Sequence, residues 1–455
     1  MNASEIDRLE ALAAELVSRA RKGGADVAEA IARSGSELSV KVRMGETELV
    51  EEAGHRGVGM RVLKGKRVAL TSTSDLTPSG LDRFVRDALE LAELSQEDPF
   101  AGPADPALLA SGPYADLETY DPAGGAVDAA QAKERALAGE AAARAFDPRI
   151  SNSEGATFSR TAGGFAVVLS SGFRGGNRGS YQSLSVVPVA EDEGGKKRRG
   201  SYWTARRFLA DLDDPRSVGE EAARRTLAKL GARKVPSCEA AVIFDQDAAR
   251  SILGLLAGCI MGGGIWRKSS YLAGREGTPI ASDLVTVVDD PLIPRAPGSR
   301  PFDGEGLLSR RNVVVEGGVL RTYLCDSYSA RKLGRASTAS AARGGSGGVG
   351  ESTSNFLLQP TATSAKDIVA STKRGLYVTE MMGFGFSAVT GDFSRGAAGF
   401  WIEDGKLAFP VSEVTISLNL DELLKRIDAV GDDLDLRTST ASPTFRVSSM
   451  TIAGA

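Results

Sequence analysis

Histidine is the side chain most often used for zinc binding and general acid–base catalysis, and this chain has one, His55. It lies in a glycine-rich stretch between Gly54 and Gly57. A histidine-based zinc site needs two or three such side chains, so the count argues against one in this chain. A Ser-His-Asp or Cys-His set would have to use the same residue, and no nucleophile-elbow sequence accompanies it. The chain therefore shows no conventional zinc or triad chemistry of its own.

Other candidates for chemistry are equally weak. Gly262–Gly264 follow a predicted helix instead of opening one, which makes them a poor phosphate cradle. Asp289 and Asp290 carry oxygen ligands for a hard cation, but their position before Pro291 favours a turn. The charged stretch Glu193–Arg199 is either an anion-binding loop or a solvated hairpin tip, and the tip is the simpler interpretation.

Composition indicates a globular protein and excludes some partners. The chain has 455 residues, of which 42% are hydrophobic and 25% charged, with a net charge of -4. No global basic field attracts nucleic acid or an anionic membrane. The uncharged stretch Ser251–Trp266 is short and glycine-rich, which favours a buried helix and a turn over a membrane span. Three widely spaced cysteines indicate reduced thiols, and we expect a cytoplasmic protein.

The elements that must position any site predict an α+β fold. An amphipathic helix, alternating short strands and a second helix indicate an N-terminal helix and antiparallel-sheet domain. Long strand candidates follow an alanine-rich helix, and the remainder is β-rich with a few helices, predicted at 246–261, 326–334, 364–373 and 420–429. The predicted domains are the N-terminal domain at 1–98, a Pro/Gly-rich linker at 99–125, a middle segment with long strands at 126–234 and a β-rich C-terminal domain at 235–455.

One segment inside the C-terminal part lacks the side chains of a core. Ser337–Ser354 is composed almost entirely of Ser, Thr, Ala and Gly. Such a segment buries too little apolar surface to offset its ordering entropy. We therefore expect a mobile loop there.

Several long motifs, in a fixed order, carry a resemblance to a known family. They are Arg149–Gly155 (RISNSEG), Val242–Phe244 (VIF), Arg267–Leu272 (RKSSYL), Pro301–Gly306 (PFDGEG), Ser327–Gly334 (SYSARKLG), Thr390–Trp401 (TGDFSRGAAGFW) and Pro410–Ile416 (PVSEVTI). On these motifs the chain resembles the PmbA/TldE family over nearly its whole length. The family carries the metallopeptidase name and an older label, modulator of DNA gyrase.

The resemblance implies a division of labour between two chains. It implies a TldD-like sister subunit whose zinc is held by a helix carrying His-Glu-x-x-x-His and by a later cysteine. The two subunits would act together on peptides or unfolded proteins. We expect this chain to be the non-catalytic subunit, with no metal or cofactor of its own, no nucleic acid or membrane partner, and no activity alone.

The sequence departs from the zinc pattern at the decisive positions. Counting back without gaps from the Ala281–Leu284 stretch places Leu253 and Gly258 where the sister family has its two histidines. Gly254 stands where that family has its general-base glutamate. None of these side chains ligates zinc or moves a proton.

The replacement forms a pattern of its own. Gly254, Gly258 and Gly262 recur every four residues, which places them on one helix face. Three glycines cost about 3 kcal/mol in helix propensity relative to alanine. Two interpretations remain open, namely tight backbone packing in the core and a side-chain-free wall facing a cavity or partner.

Binding is the function left to this chain. Weak candidates for peptide contact are Tyr328, Arg331, Ser394 and Arg395, with surface salt bridges or turns as the structural alternative. Exposed strand edges in the C-terminal part could also pair with an extended peptide. The alternatives to the sister-subunit hypothesis are a stand-alone homodimeric peptide-binding scaffold and a metal-independent hydrolase.

Overall fold

The computed structural model describes residues 3–454 and confirms the α+β class, with helices and an antiparallel sheet first and a β-rich part last. The four C-terminal helices predicted by number begin within one residue of their predicted starts, but those predicted at 364–373 and 420–429 end three and four residues earlier than predicted. The α-helices are α1 Ala3–Lys22, α2 Pro78–Leu94, α3 Pro122–Gly125, α4 Ala129–Ala145, α5 Pro215–Leu227, α6 Gln246–Cys259, α7 Gly262–Trp266, α8 Ser327–Leu333, α9 Ala365–Ala370 and α10 Leu420–Lys425.

One seven-stranded antiparallel sheet is built from both sides of the predicted linker. Its strands are β1 Val27–Arg43, β2 Glu46–Lys64, β3 Arg67–Thr73, β4 Asn152–Leu169, β5 Arg174–Glu191, β6 Lys197–Arg199 and β7 Tyr202–Arg206. The order is β3-β2-β1-β4-β5-β6, and β7 also pairs with β5. Because β1 pairs with β4 over fourteen positions, the predicted N-terminal domain and middle segment share this sheet. The division of the chain at residues 99–125 stays a prediction.

The two faces of this sheet have different neighbours. Along β1, Ala28, Ala30 and Ala32 belong to the core under α1 and α2, and Leu38 and Val40 belong to the core under α4 and α5. Their common spacing of two places all four helices on one face. The residues between them, such as Ile31 and Arg33, therefore face the C-terminal part.

The C-terminal part contains a closed ring of strands. The strands of the whole C-terminal part are β8 Cys238–Phe244, β9 Val287–Asp289, β10 Asn312–Glu316, β11 Val319–Leu320, β12 Ala341–Arg343, β13 Val349–Glu351, β14 Phe356–Leu358, β15 Arg374–Met382, β16 Asp392–Glu403, β17 Lys406–Asn419, β18 Ile427–Val430, β19 Thr440–Ala441 and β20 Phe445–Ala453. Five of them form the ring. The order β17-β16-β15-β8-β20 is closed by pairing of β17 with β20. β17 and β20 pair over three residue positions, which reduces the free strand edge within this ring. Pairing of a peptide with a strand edge of the C-terminal part stays a prediction.

The segment expected to be a mobile loop is instead a packed hairpin. Within it, β12 and β13 pair, and Ser340 and Ala341 are fully buried. Its glycines bring its backbone against β2, since a Cβ on Gly347 would lie 2.7 Å from the carbonyl carbon of Met60. The composition reflects close contact between two backbones, which small residues permit, and not the absence of packing.

A buried ion-pair network fastens this hairpin to the N-terminal sheet. Glu29 on β1 accepts from Arg61 on β2 at 2.9 Å and from Arg343 on β12 at 2.7 Å. The side chains of Glu29 and Arg343 are 3% and 2% exposed. Burial alone would raise the pKa of Glu29, but the attraction of Arg343 and Arg61 holds that pKa below its ordinary value.

Removal of the shared carboxylate is expected to destabilise the whole chain. Glu29→Gln leaves two buried guanidinium groups without their anion, and breaking a buried pair in this way costs about 3 kcal/mol or more. The measurement is urea denaturation followed by tryptophan fluorescence at neutral pH. The matched control is Glu48→Gln, which removes an exposed partner of Lys41 on the same sheet and should leave the midpoint unchanged. Equal midpoints for both variants would contradict the role given to Glu29.

Candidate functional site

Helix α6 is the element on which the resemblance places the zinc chemistry of the family. Asp245 caps its N-terminus by accepting from the backbone N–H of Ala248 at 2.8 Å. Ile252 and Leu256 anchor it in the main C-terminal core. The uncharged stretch 251–266 is divided between α6 and α7, and among residues 3–454 no helix is long and apolar enough to cross a membrane.

The glycine stripe of α6 has two different environments. Gly254 and Gly258 are exposed, and a Cβ added at either would meet nothing within 4 Å. Gly262, at the start of α7, is packed, since its Cβ would lie 2.7 Å from the Cys325 Sγ atom. Of the two interpretations of the glycine stripe, tight packing therefore applies to Gly262. A helix face without side chains, open to solvent, applies to Gly254 and Gly258.

Zinc does not fit the donors that α6 presents. Leu253 is 4% exposed and belongs to the core, on a different face from Gly254 and Gly258. Cys259 is fully buried, and burial raises the pKa of its thiol to about 11, so it is not a ready thiolate. Among the described residues, no group of three or more His, Cys, Asp or Glu side chains is arranged to hold a metal ion.

One of the four predicted peptide-contacting residues, Arg395, borders the glycine wall. Arg395 on β16 donates from Nη1 to the Ser251 hydroxyl at 3.1 Å, and Ser251 lies on the same α6 face as Gly254 and Gly258. The Nε atom of Arg395 is buried with no hydrogen-bond partner. Ser394, the preceding residue of β16, is exposed on the opposite face of the strand and does not contact α6. Arg395 therefore has a spare donor next to a helix face that has no side chains.

The turn between β15 and β16 adds apolar surface next to Arg395. Met382 at the end of β15 pairs with Gly396, the residue after Arg395. Beyond it, Phe384 is 97% exposed and Val389 is 60% exposed. We call residues 382–391 the β15–β16 tip. An almost fully exposed phenylalanine is typical of a surface that another molecule covers.

The other two predicted residues hold the chain segment that precedes α3. Arg331 on α8 donates to the backbone carbonyls of Phe100, Pro103 and Gly102 at 2.8, 3.0 and 3.2 Å. Tyr328 donates its hydroxyl to Asp98 at 2.7 Å. All three guanidinium nitrogens of Arg331 are thus engaged within the chain. The geometry favours the structural role for this pair, and it does not bring them together with Ser394 and Arg395.

The motif Pro301–Gly306 contains two buried carboxyl groups that sequence reasoning did not single out. Asp303 accepts from the backbone N–H groups of Glu305, Leu307 and Ala341. Glu305 accepts from the backbone N–H of Ser327 at 2.8 Å. Burial, with the nearby charge of Asp303, raises the pKa of Glu305 to about 7. The sequence of the motif did not predict the burial of Glu305 or its raised pKa, because the groups that surround Glu305 come from distant segments.

Comparison with known proteins gives the same family along the whole chain. Models of the PmbA/TldA metallopeptidase match in three consecutive parts: domain 1 at residues 28–92, the central domain at 123–230 and the C-terminal domain at 237–454. The chain is 37% identical to metalloprotease PmbA of Escherichia coli O157:H7, over 99% of this chain and 98% of that protein.

Solved structures share the fold. A proposed modulator of DNA gyrase from Bacteroides thetaiotaomicron superimposes with a TM-score of 0.92 at 27% identity, covering 99% of each chain. TldE from Thermococcus kodakarensis superimposes with a TM-score of 0.86 at 22% identity, covering 97% of this chain and all of that one, which shows the fold alone. The resemblance stated from the motifs is confirmed.

The two environments of the glycine stripe predict opposite effects of the same substitution. Gly254→Ala adds a methyl group in open space at a mid-helix position and should stabilise the fold by about 0.5–1 kcal/mol. Gly262→Ala, the matched control, forces a methyl group against Cys325 and Ser329 and should destabilise it. Chemical denaturation of both variants measures the difference. A loss of stability in Gly254→Ala would contradict the open wall.

Because burial raises the pKa of Glu305, we expect the chain to become less stable as the pH rises toward 7. Between about pH 4.5 and 7 the unfolded chain has lost this proton and the folded chain keeps it, so the free energy of unfolding falls as pH rises. Glu305→Gln should remove part of that fall, on the order of 2 kcal/mol between pH 5 and pH 8. The measurement is denaturation at several pH values, with exposed Asp87→Asn as the control. A Glu305→Gln profile parallel to that of the parent would refute the assignment.

Proposed function

The chain belongs to the PmbA/TldD metallopeptidase family, and we propose that it acts as the non-catalytic, PmbA/TldE-like subunit of a two-chain zinc peptidase. The substrates of the pair would be peptides or unfolded proteins. The observation that carries the proposal is the outer face of α6. Where the resemblance places histidines and a glutamate, this face has Gly254 and Gly258, and Leu253 points into the core.

The partner would be a TldD-like sister chain that holds the zinc. Catalysis of peptide hydrolysis by zinc requires protein ligands and an open position for water. The α6 face supplies neither imidazole nor carboxylate, so the chemistry must come from the other chain. What this chain offers is the wall formed by Gly254 and Gly258, the spare donor of Arg395 and the apolar β15–β16 tip. Such a surface supports association and the shaping of a shared cleft.

Reconstitution tests both halves of the proposal. The purified chain alone should contain well under one zinc per chain and cleave no peptide. Addition of a sister chain carrying His-Glu-x-x-x-His should produce cleavage that a chelator abolishes. Phe384→Ala should weaken the association at least about tenfold, because exposed aromatic residues dominate such contacts. Leu94→Ala, an 83% exposed apolar residue on α2, is the matched control and should bind normally.

The remaining outcomes separate the alternatives. One zinc per isolated chain, with chelator-sensitive cleavage and no sister chain detectable by mass spectrometry, contradicts the proposal. Cleavage that survives the chelator identifies a metal-independent hydrolase. A stable homodimer that binds peptide and ignores the sister chain identifies a stand-alone scaffold. Metal analysis, peptide digestion and size-exclusion chromatography distinguish these results.

A further inference from the structure

A second feature of the fold is a cavity on the helix-free face of the seven-stranded sheet. It has a volume of about 500 Å³. Ile31, Phe165 and Val167 of β1 and β4 form its floor, and the loop 297–304 and the hairpin β12–β13 form its walls. Exposed residues at its rim, such as His55 and Ala342, leave it open to solvent. A cavity of this size accommodates a small organic molecule or the end of a peptide.

The charge of the cavity is opposite to that of the chain. A single carboxyl group lines it, that of Asp303, against five guanidinium groups, those of Arg33, Arg178, Arg207, Arg300 and Arg343. The chain as a whole has a net charge of -4. Because these arginines come from five separate places in the sequence, their convergence is produced by the fold.

The internal anions are already committed to other groups. Both oxygens of Asp303 accept backbone N–H groups, and Glu29 is held between Arg61 and Arg343. Arg207 donates only to backbone carbonyls, such as those of Thr119 and Pro297. The neutral carbonyls satisfy its donors and leave its charge uncompensated. Asp289, the carboxyl that acts most strongly on Arg300, accepts from the backbone N–H of Ser354 at 2.6 Å. Five guanidinium groups still outnumber these carboxyl groups, so the cavity keeps a positive field.

Two arginines have donors to spare. The Nε atom of Arg300 is buried with no hydrogen-bond partner, and the contact of its guanidinium is a long one, 3.5 Å to the Ser352 carbonyl. Burial lowers the pKa of Arg300, which reports the cost of keeping this charge inside the protein. Arg33 is exposed at the rim, and among residues 3–454 its guanidinium group makes no side-chain hydrogen bond or ion pair. A buried donor without a partner is costly unless a ligand satisfies it.

Aromatic rings line the floor and one wall of the cavity, with Phe165 on the floor and Phe302 on the wall. Phe302 meets Phe165 edge-on with ring centroids 6.4 Å apart and Phe173 at 4.9 Å. An inorganic anion would gain nothing from such a floor. A guanidinium fork matches the two oxygens of a carboxylate, and the aromatic floor matches an apolar group attached to it.

We propose that this cavity binds an organic carboxylate with an aromatic or branched apolar body, its anionic head held by Arg300 and Arg33. The ligand would be either the C-terminal residue of a peptide or a free small carboxylic acid, which share this chemistry. The proposal concerns the isolated chain and stands independently of the sister subunit.

Isothermal titration calorimetry on the full chain tests the proposal with three probes. They are N-acetyl-Ala-Ala-Phe with a free carboxylate, the same peptide as its C-terminal amide, and hydrocinnamate. The free acids should bind, and the amide should bind at least about tenfold more weakly because it offers no charge to the guanidinium groups. Arg33→Ala and Arg300→Gln should each weaken binding of the acids about 10- to 100-fold.

The controls separate loss of the site from loss of the fold. Arg174→Ala removes an exposed arginine of β5 that does not line the cavity, and it should bind as the parent does. Arg33 is exposed, so Arg33→Ala keeps the test valid should Arg300→Gln lower the thermal midpoint. Tighter binding of the tripeptide than of hydrocinnamate identifies a peptide terminus, and the reverse identifies a free acid. Equal affinity for acid and amide, no binding of either acid, or undiminished binding in Arg33→Ala overturns the proposal.

Discussion

The carboxylate of Glu29 is the constraint on which the arrangement of the chain depends. It joins Arg61, a neighbour in the sheet, to Arg343, which is 314 residues away in sequence. A buried charge of this kind is costly unless every partner is in place. Detachment of the hairpin that carries Arg343 would leave Glu29 with one of its two guanidinium partners, so the ion pair favours the seated position. Its seating brings Ala341 and Gly345 to the sheet as one wall of the arginine-lined cavity.

The buried and outer faces of helix α6 are held by different constraints. The buried face keeps Ile252, Leu253 and Leu256 in the core, and the Asp245 cap is intact. The outer face carries no side chain at Gly254 and Gly258, where an added Cβ would meet nothing within 4 Å. Because the core face fixes the helix and the outer face does not, the outer face can change without loss of the fold. What remains is a surface whose shape is set by backbone alone, which suits close approach of another chain.

Features that depend on local sequence patterns, such as helix bounds and helix faces, were predicted from the sequence. Helices such as α6 and α8 have apolar spacing and capping residues, so their bounds were predicted within about two residues. The pairing of β1 with β4 has no local signal, because its strands are separated by more than eighty residues that include the linker. The hairpin at 341–351 was missed since small residues indicate flexibility until the opposing backbone is known. The face of α6 was predicted from spacing, but which glycine is open and which is packed depends on Cys325 and Ser329, far along the chain.

The closed ring of strands has a consequence for synthesis on the ribosome. β8 lies between β15 and β20, and β20 also closes the ring by pairing with β17. About 200 residues separate the end of β8 from the start of β20. At a translation rate of ~5–20 residues per second, β8 waits about 10–40 s for its last neighbour. During that interval its apolar residues, Val242 and Phe244 among them, are incompletely covered. During synthesis, β8 is therefore the strand of the ring whose apolar side chains wait longest for a neighbour.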